Sequence, residues 1–371
     1  MPRLLPRPLE MVYRNGTKLA RLALGVRSRL PREVQLEVTN RCNLDCDMCP
    51  RLTLLKVPEV DMSRETLEAI LDRFEQAPPY SITLTGWGEP LMHQDFFAFA
   101  DRIAARLPET DLGFTTNGHL LTRRVGEQVL ARRAITRINV SLEELPWEDA
   151  TAQGPLPEDE RSGNPQKGGI NYVARDGHPT PPKVVEHLRS FLAARNAQAA
   201  RGEPAPEVRL QVVLFPDSEE TTRRLIDFGA DLGFQAVNLV RLDVRGRPDL
   251  RRPGYEEERA LIAMARARAK ERGIPLGSVN DHGRLLRLAS HDDQFCMRLD
   301  SYIYVDVEGH VAPCCLLRGH RLGDLTRQDL AEVWTSPEFK RFYGPGPHPA
   351  CEGCDAFLHR YADAAADRGG A

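Results

Sequence analysis

The sequence predicts an α/β protein, a parallel sheet or barrel of strand–helix units followed by a small cysteine-bearing C-terminal region. Three observations lead there. Short β-branched runs alternate with longer helical patterns, with neither a block of strands nor a block of helices, as parallel strands joined by right-handed crossovers require. The length, 371 residues, exceeds what one ordinary core needs. The eight cysteines fall into two groups, with none between Cys49 and Cys296.

Residues 1–32 are rich in arginine with Leu and Val between, and they read as a basic amphipathic helix packed across one end of the main domain. Contact of that helix with a membrane surface or a partner stays open as the second reading. Strands are expected at Glu33–Val38, Tyr80–Thr85, Leu112–Thr115, Arg137–Leu142, Val208–Leu214 and Ala236–Leu242. Helices are expected at Ser63–Gln76, Gln94–Leu107, Thr122–Arg132, Pro182–Gln198, Glu219–Leu232 and Tyr255–Arg272. Ser63 reads as an N-cap, and Asp217 or Ser218 opens the helix at Glu219. These units fill 33–272, with the active face at the strands' C-terminal ends. The Gly/Pro-rich stretch 144–181 leaves such an end and reads as a loop hanging over that face.

From 273 to 371 the pattern changes. A linker through Gly277–Asp293 leads to a strand at Ser301–Val307, a turn at Glu308–Gly309, a return strand at His310–Pro313 and a short helix near Gln328–Thr335. This tail reads as a second, small domain with a thin core, which a metal staple would support.

Fifty Lys and Arg against fifty-three Asp and Glu give a formal charge of -3, which excludes a broadly basic nucleic-acid binder. No apolar run approaches the ~20 residues of a membrane span, so no transmembrane segment is expected. The absence of a secretory signal pattern and the cysteine spacing together suggest a reducing cytoplasm, with thiolates used as metal ligands.

The first group, Cys42-Asn-Leu-Asp-Cys46-Asp-Met-Cys49, directly follows the first strand. Three thiolates within eight residues suit a four-iron cluster with one open iron, and structural zinc with a remote fourth ligand is the alternative. This spacing resembles the signature of radical S-adenosylmethionine (SAM) enzymes. The resemblance extends to Gly86-Trp87-Gly88-Glu89-Pro90 at the second strand's end, Thr115-Thr116-Asn117-Gly118 at the third and Val140-Ser141-Leu142-Glu143 at the fourth. It implies a partial (β/α)6 TIM-like barrel over roughly 32–242 and a 4Fe-4S cluster on Cys42, Cys46 and Cys49. SAM would be bound by Gly86, Gly88, Glu89, Asn117 and Ser141, with Glu89 meeting its methionine amino group. Met48 stands where the family often has an aromatic residue. On the residues alone, Gly86 and Gly88 form a tight turn and Glu89 is a surface carboxylate.

The implied chemistry is reductive cleavage of SAM to a 5′-deoxyadenosyl radical, which takes a hydrogen atom from the substrate, with the cofactors carrying the hard step. The implied reductant is a flavodoxin or ferredoxin. The tail resembles the twitch region, the shortened relative of the SPASM domain, and this implies a second, auxiliary 4Fe-4S cluster on Cys296, Cys314, Cys351 and Cys354. Structural zinc is the alternative there too. Cys315 reads as a small buried hydrophobe, with ligand exchange for Cys314 or hydrogen donation as further options.

A fully ligated auxiliary cluster suits an electron acceptor. The expected function is therefore a radical SAM oxidoreductase acting on a small-molecule alcohol or sugar-like substrate. The alternatives are a maturase that epimerises, cross-links or oxidises a precursor peptide, and a non-enzymatic iron–sulfur electron carrier. Oxidation of an alcohol needs a base, for which Gln211, Arg241 and Asp243 are strand-end candidates.

Overall fold

The computed structural model describes residues 28–46, 48, 49, 51, 57–143, 183–242, 244, 250–279, 301–343 and 348–351. Most of the basic N-terminal segment, the loop 144–181, Asp243, Cys296 and Cys354 lie outside the described residues.

Seven strands follow the expected alternation: β1 (Glu33–Leu36), β2 (Ser81–Leu84), β3 (Asp111–Thr116), β4 (Ile135–Ser141), β5 (Glu207–Leu214), β6 (Ala236–Arg241) and β7 (Leu276–Val279). Between them run α1 (Arg64–Gln76), α2 (Phe96–Arg106), α3 (Arg123–Leu130), α4 (Lys183–Ala200), α5 (Glu219–Leu232) and α6 (Tyr255–Arg272). Strands β1 to β7 pair in parallel and in sequence order. Consecutive order without a reversal is the wall of a barrel, and the described sheet is open, with β7 paired on one side only. The expected linker at 277 is in part strand β7, a four-residue piece that extends the wall beyond β6.

Local chemistry sets the helix ends. Ser63 accepts from the Thr66 N–H at 3.1 Å and Thr122 from the Val125 N–H at 3.4 Å. Ser218 occupies the N-cap of α5, but its hydroxyl turns back to the Phe215 carbonyl at 2.8 Å. Gly233 and Gly273 end α5 and α6 in the left-handed conformation, at φ 76° and 70°.

The two faces of the sheet differ. One row, including Val34, Ile82, Leu112, Ile138, Val208 and Leu239, is buried against Leu67, Ile70, Phe74, Phe99, Leu188 and Leu225 of the helices. The opposite row carries half-buried Gln35, Thr83, Thr115, Asn139, Ser141, Arg209 and Gln211. In this row Arg137 reaches across Gly113 to donate to the Thr83 hydroxyl at 2.9 Å. A Cβ at Gly113 would stand 3.2 Å from the Cβ of Arg137. The interior of the wall is thus polar, whereas the layered interior of a closed TIM barrel is dominated by bulky branched residues.

The tail joins this sheet. β8 (Tyr302–Val305) pairs in parallel with the free edge of β1, β9 (His310–Ala312) returns antiparallel, and β10 (Gly323–Asp324) adds to β9. The expected turn is present, with Gly309 at φ 90°. Two short helices follow, α7 (Leu330–Thr335) and α8 (Pro337–Lys340). Leu330, Val333, Trp334 and Phe339 belong to the same buried cluster as the barrel. Where the sequence suggests a separate thin core, the tail shares the main one, because β8 is hydrogen-bonded to β1. The Trp334 indole donates to the Ser28 carbonyl at 3.0 Å, which anchors the start of the described chain on α7.

Phe74 is fully buried between α1 and the sheet. Phe74→Ala is expected to cost about 3–5 kcal/mol, read as a lowered thermal midpoint by circular dichroism.

Candidate active site

The site is built where β1 to β4 end. After β1 the chain runs through Glu37, Val38, Thr39 and Asn40, all buried, into the cysteine loop. Asn40 pins the returning segment: its amide donates to the Pro58 carbonyl at 3.0 Å and accepts from the Val60 N–H at 2.6 Å. Thr39 and Arg41 both bond Asp61, at 2.6 and 3.0 Å. The excursion after Cys49 is thereby closed back onto the sheet.

Cys42, Cys46 and Cys49 are half-buried and close enough for charge on one to raise the pKa of another. Burial pushes the Cys42 thiol up to about 11 and the other two above their ordinary value, while Arg51 pulls all three back. Arg51 is nearly buried and braces the loop, bonding the Leu44 carbonyl at 3.1 Å, Glu59 at 2.8 Å and Asp45. Three neighbouring thiols on one loop, each kept protonated by burial, are a donor set a thiophilic cationic centre would satisfy, releasing their protons.

Glu89 knits three strand ends. Its N–H donates to the Arg41 carbonyl at 2.8 Å, and its carboxylate accepts from the Asn117 N–H at 2.7 Å and the Leu91 N–H at 3.2 Å. It is 2% exposed, so the surface-carboxylate reading does not hold, and burial raises its pKa to about 7. The glycines around it are set by close approach. A Cβ at Gly86 would lie 2.4 Å from Glu37 Cγ, and one at Gly88 would lie 2.4 Å from the Thr39 carbonyl. The side-chain amide of Asn117 reaches the Cys42 loop, donating to Asn43 Oδ1 at 2.9 Å.

At the end of β4, Ser141 donates to Glu143 at 2.8 Å. Glu143 is buried, its pKa is raised to about 7 by burial, and its charge raises that of Cys46. The structure therefore brings Cys42, Cys46, Cys49, Glu89, Asn117 and Ser141 together, and adds Glu143 and Arg51, which sequence reasoning did not select. Glu143 lies inside the strand-end motif already singled out for Ser141. Met48 packs against the Phe215, Leu242 and Leu250 cluster.

Arg241 is corrected. In register with Leu214, it lies on the helix-facing side of the sheet, and its guanidinium is buried in an ion pair with Glu258 of α6. It is neither a base nor part of the polar interior. Gln211 does lie in that interior row, paired with Ser141 and Asn238.

In the tail, half-buried Cys314 packs with buried Cys351, Leu317 and Phe342 in one small cluster. Their approach fits a shared thiolate site. Asp306, Glu308 and His310 also gather ligand-type atoms within 4.8 Å, but Arg321 pairs with both carboxylates and Arg318 stands 4.0 Å from Asp306. This is an ion-pair cluster. Among the described residues, no helix is long and apolar enough to cross a membrane.

The chain matches the Radical SAM superfamily over residues 36–156 and SPASM, an iron-sulfur cluster-binding domain, over residues 296–355. It is 34% identical over 113 residues to GTP 3′,8-cyclase 2 of Pseudomonas aeruginosa, covering 30% of this chain and 33% of that protein. The chain thus matches about a third of the length of such cyclases. It is 24% identical over 341 residues, 86% of each chain, to the tungsten-containing aldehyde ferredoxin oxidoreductase cofactor-modifying protein of Pyrococcus furiosus. The fold resembles Streptococcus suis SuiB bound to S-adenosylmethionine, with TM-score 0.64, 17% identity, and coverage of 97% of this chain and 78% of SuiB. It also resembles anSMEcpe with bound AdoMet, with TM-score 0.60, 15% identity and 88% of each chain covered. The two domain matches imply a 4Fe-4S cluster with S-adenosylmethionine in the barrel and auxiliary iron–sulfur ligation in the tail. On these two matches the chain carries a Radical SAM domain followed by a C-terminal SPASM domain.

Proposed function

We propose that this protein is a radical SAM oxidoreductase acting on a small, hydroxyl-rich molecule of the alcohol or sugar type. The observation that carries this reading is the polar interior row, Gln35, Thr83, Thr115, Asn139, Arg137 and Gln211, which offers hydrogen bonds where a polar substrate would lie. The names of the curated relatives, a GTP cyclase and a cofactor-modifying protein, support a small-molecule substrate. The division proposed is a segment 1–32, a barrel 33–272 and an auxiliary region 273–371.

Cys42, Cys46 and Cys49 would hold the barrel cluster, and Cys296, Cys314, Cys351 and Cys354 the auxiliary one. When bound, the reduced cluster and SAM supply the radical chemistry that takes a hydrogen atom from carbon. The residues of the chain orient and insulate. Glu89 presents a buried carboxylate suited to the methionine ammonium, held in place by the Asn117 and Leu91 N–H groups. Gly86, Gly88, Asn117 and Ser141 shape the rest of that pocket, and Glu143 keeps a proton near neutrality beside Cys46. A reduced flavodoxin or ferredoxin would supply the electron.

A second reading is a peptide maturase. It is favoured by the likeness to SuiB bound to the precursor peptide SuiA, with TM-score 0.62 over 92% of this chain.

Cys46→Ala is expected to abolish 5′-deoxyadenosine formation from SAM and dithionite, followed by chromatography; unchanged turnover would remove the assignment of the barrel cluster. Cys351→Ala combined with Cys354→Ala should leave SAM cleavage measurable while oxidation of the substrate is lost. Persistent oxidation in that variant would exclude the auxiliary cluster as electron acceptor.

A pH dependence also follows. Glu89 and Glu143 retain protons in the folded chain up to about pH 7, whereas unfolded glutamates lose theirs near 4.5. The folded state binds the extra protons, so this contribution to stability is full below the unfolded value and is lost as pH rises through about 7. The thermal midpoint of the metal-free chain is expected to fall between about pH 5 and 8, and Glu89→Gln with Glu143→Gln should flatten that fall.

A further inference from the structure

The Gly86–Pro90 loop also bonds the segment after β1 and the tail. Trp87 sits between the two glycines and reaches into the tail, where its indole N–H donates to the Cys315 carbonyl at 2.9 Å. Its backbone N–H donates to Glu37 Oε1 at 2.9 Å, and the other oxygen of Glu37 accepts from Arg318 at 2.9 Å. Glu37 is wholly buried and Arg318 is 7% exposed. Cys315 and Arg318 bracket the single helical turn Cys315–Leu317, whose N-cap is Cys314. The turn that follows Cys314 is therefore held at one end by Trp87 of the loop that carries Glu89 and at the other by Glu37, which the Trp87 N–H also bonds.

The grip is stiff. Gly86 is pressed on Glu37, Gly88 on the backbone of Thr39 and Arg41, and the Glu89 N–H is tied to the Arg41 carbonyl. These contacts leave Glu89 little room to move independently of Trp87. The bonded groups lie 228 and 281 residues apart, so the chain's own connectivity does not hold them together.

We propose that Trp87 is a positioning residue that, with the Glu37–Arg318 pair, couples occupancy of the SAM site to the order of the Cys314–Arg318 turn. This deepens the proposed function and rests on Cys314 being an auxiliary-cluster ligand for its catalytic meaning. By linkage, ordering of the turn strengthens SAM binding by the same factor that SAM orders the turn.

The test is amide hydrogen exchange on the full chain, reconstituted without oxygen, with and without SAM. In the unaltered protein, SAM is expected to slow exchange over residues 310–318 by about two- to tenfold, the effect of an ordinary net hydrogen bond. In Trp87→Phe, which keeps the ring and loses the donor, SAM should still bind by equilibrium dialysis while that slowing disappears. Exchange indifferent to SAM in the unaltered chain, a comparison needing no variant, would overturn the coupling. So would slowing retained in Trp87→Phe. Iron and sulfide per chain on the same samples separate the two questions. A content of only about four iron would remove the auxiliary cluster and leave the exchange result standing on its own.

Discussion

A carboxylate taken out of water must find donors, and at Glu89 those donors come from other strands. Burial of an ionisable side chain is costly unless its hydrogen-bonding capacity is met. Here one oxygen is met by the backbone after β3 and the other by the Leu91 N–H two residues on, while the residue's N–H is tied to the loop after β1. The ends of β1, β2 and β3 are thus fixed relative to one another before any cofactor is considered. The glycines on either side allow this, since the approach of the two loops leaves no volume for a Cβ. The Asn117 placement and the reach of Trp87 into the tail share that geometry.

The same logic divides the sheet. Helices bury its outer row in hydrocarbon, so the wall is stabilised from outside and its inner face is released from packing duty. Polar side chains can occupy that face and still satisfy one another, as Arg137 and Thr83 do across Gly113. Apolar packing and polar hydrogen bonding are thereby assigned to opposite sides of the same strands. The tail adds to the wall at β1, the strand that feeds the cysteine loop, so the tail and that loop are neighbours by topology.

Much of this is legible in the sequence because its causes are local. β-branched runs and caps place β1 to β6 and α1 to α6 within two residues of their observed ends. β7 and β10 escape because strands of four and two residues carry too little periodicity, and exist only through pairing with a neighbour. Cysteine spacing and strand-end motifs expose Cys42, Cys46, Cys49 and Glu89, whereas the roles of Glu37, Arg51 and Glu143 depend on partners distant in sequence or on burial. Arg241 misleads for a physical reason: a polar residue at a strand end looks functional until register assigns its face, and here it faces Glu258.

The pairing of β8 with β1 has a consequence for the life of the chain before it is folded. Ser301 and Glu33, at the foot of these two strands, are 268 residues apart, so β1 emerges from the ribosome long before its partner exists. During that interval one side of β1 presents unpaired backbone groups, a template for pairing with another chain. The cysteine loop lies immediately after it. That edge beside the cysteine loop is therefore sealed only when residues 302–305 arrive.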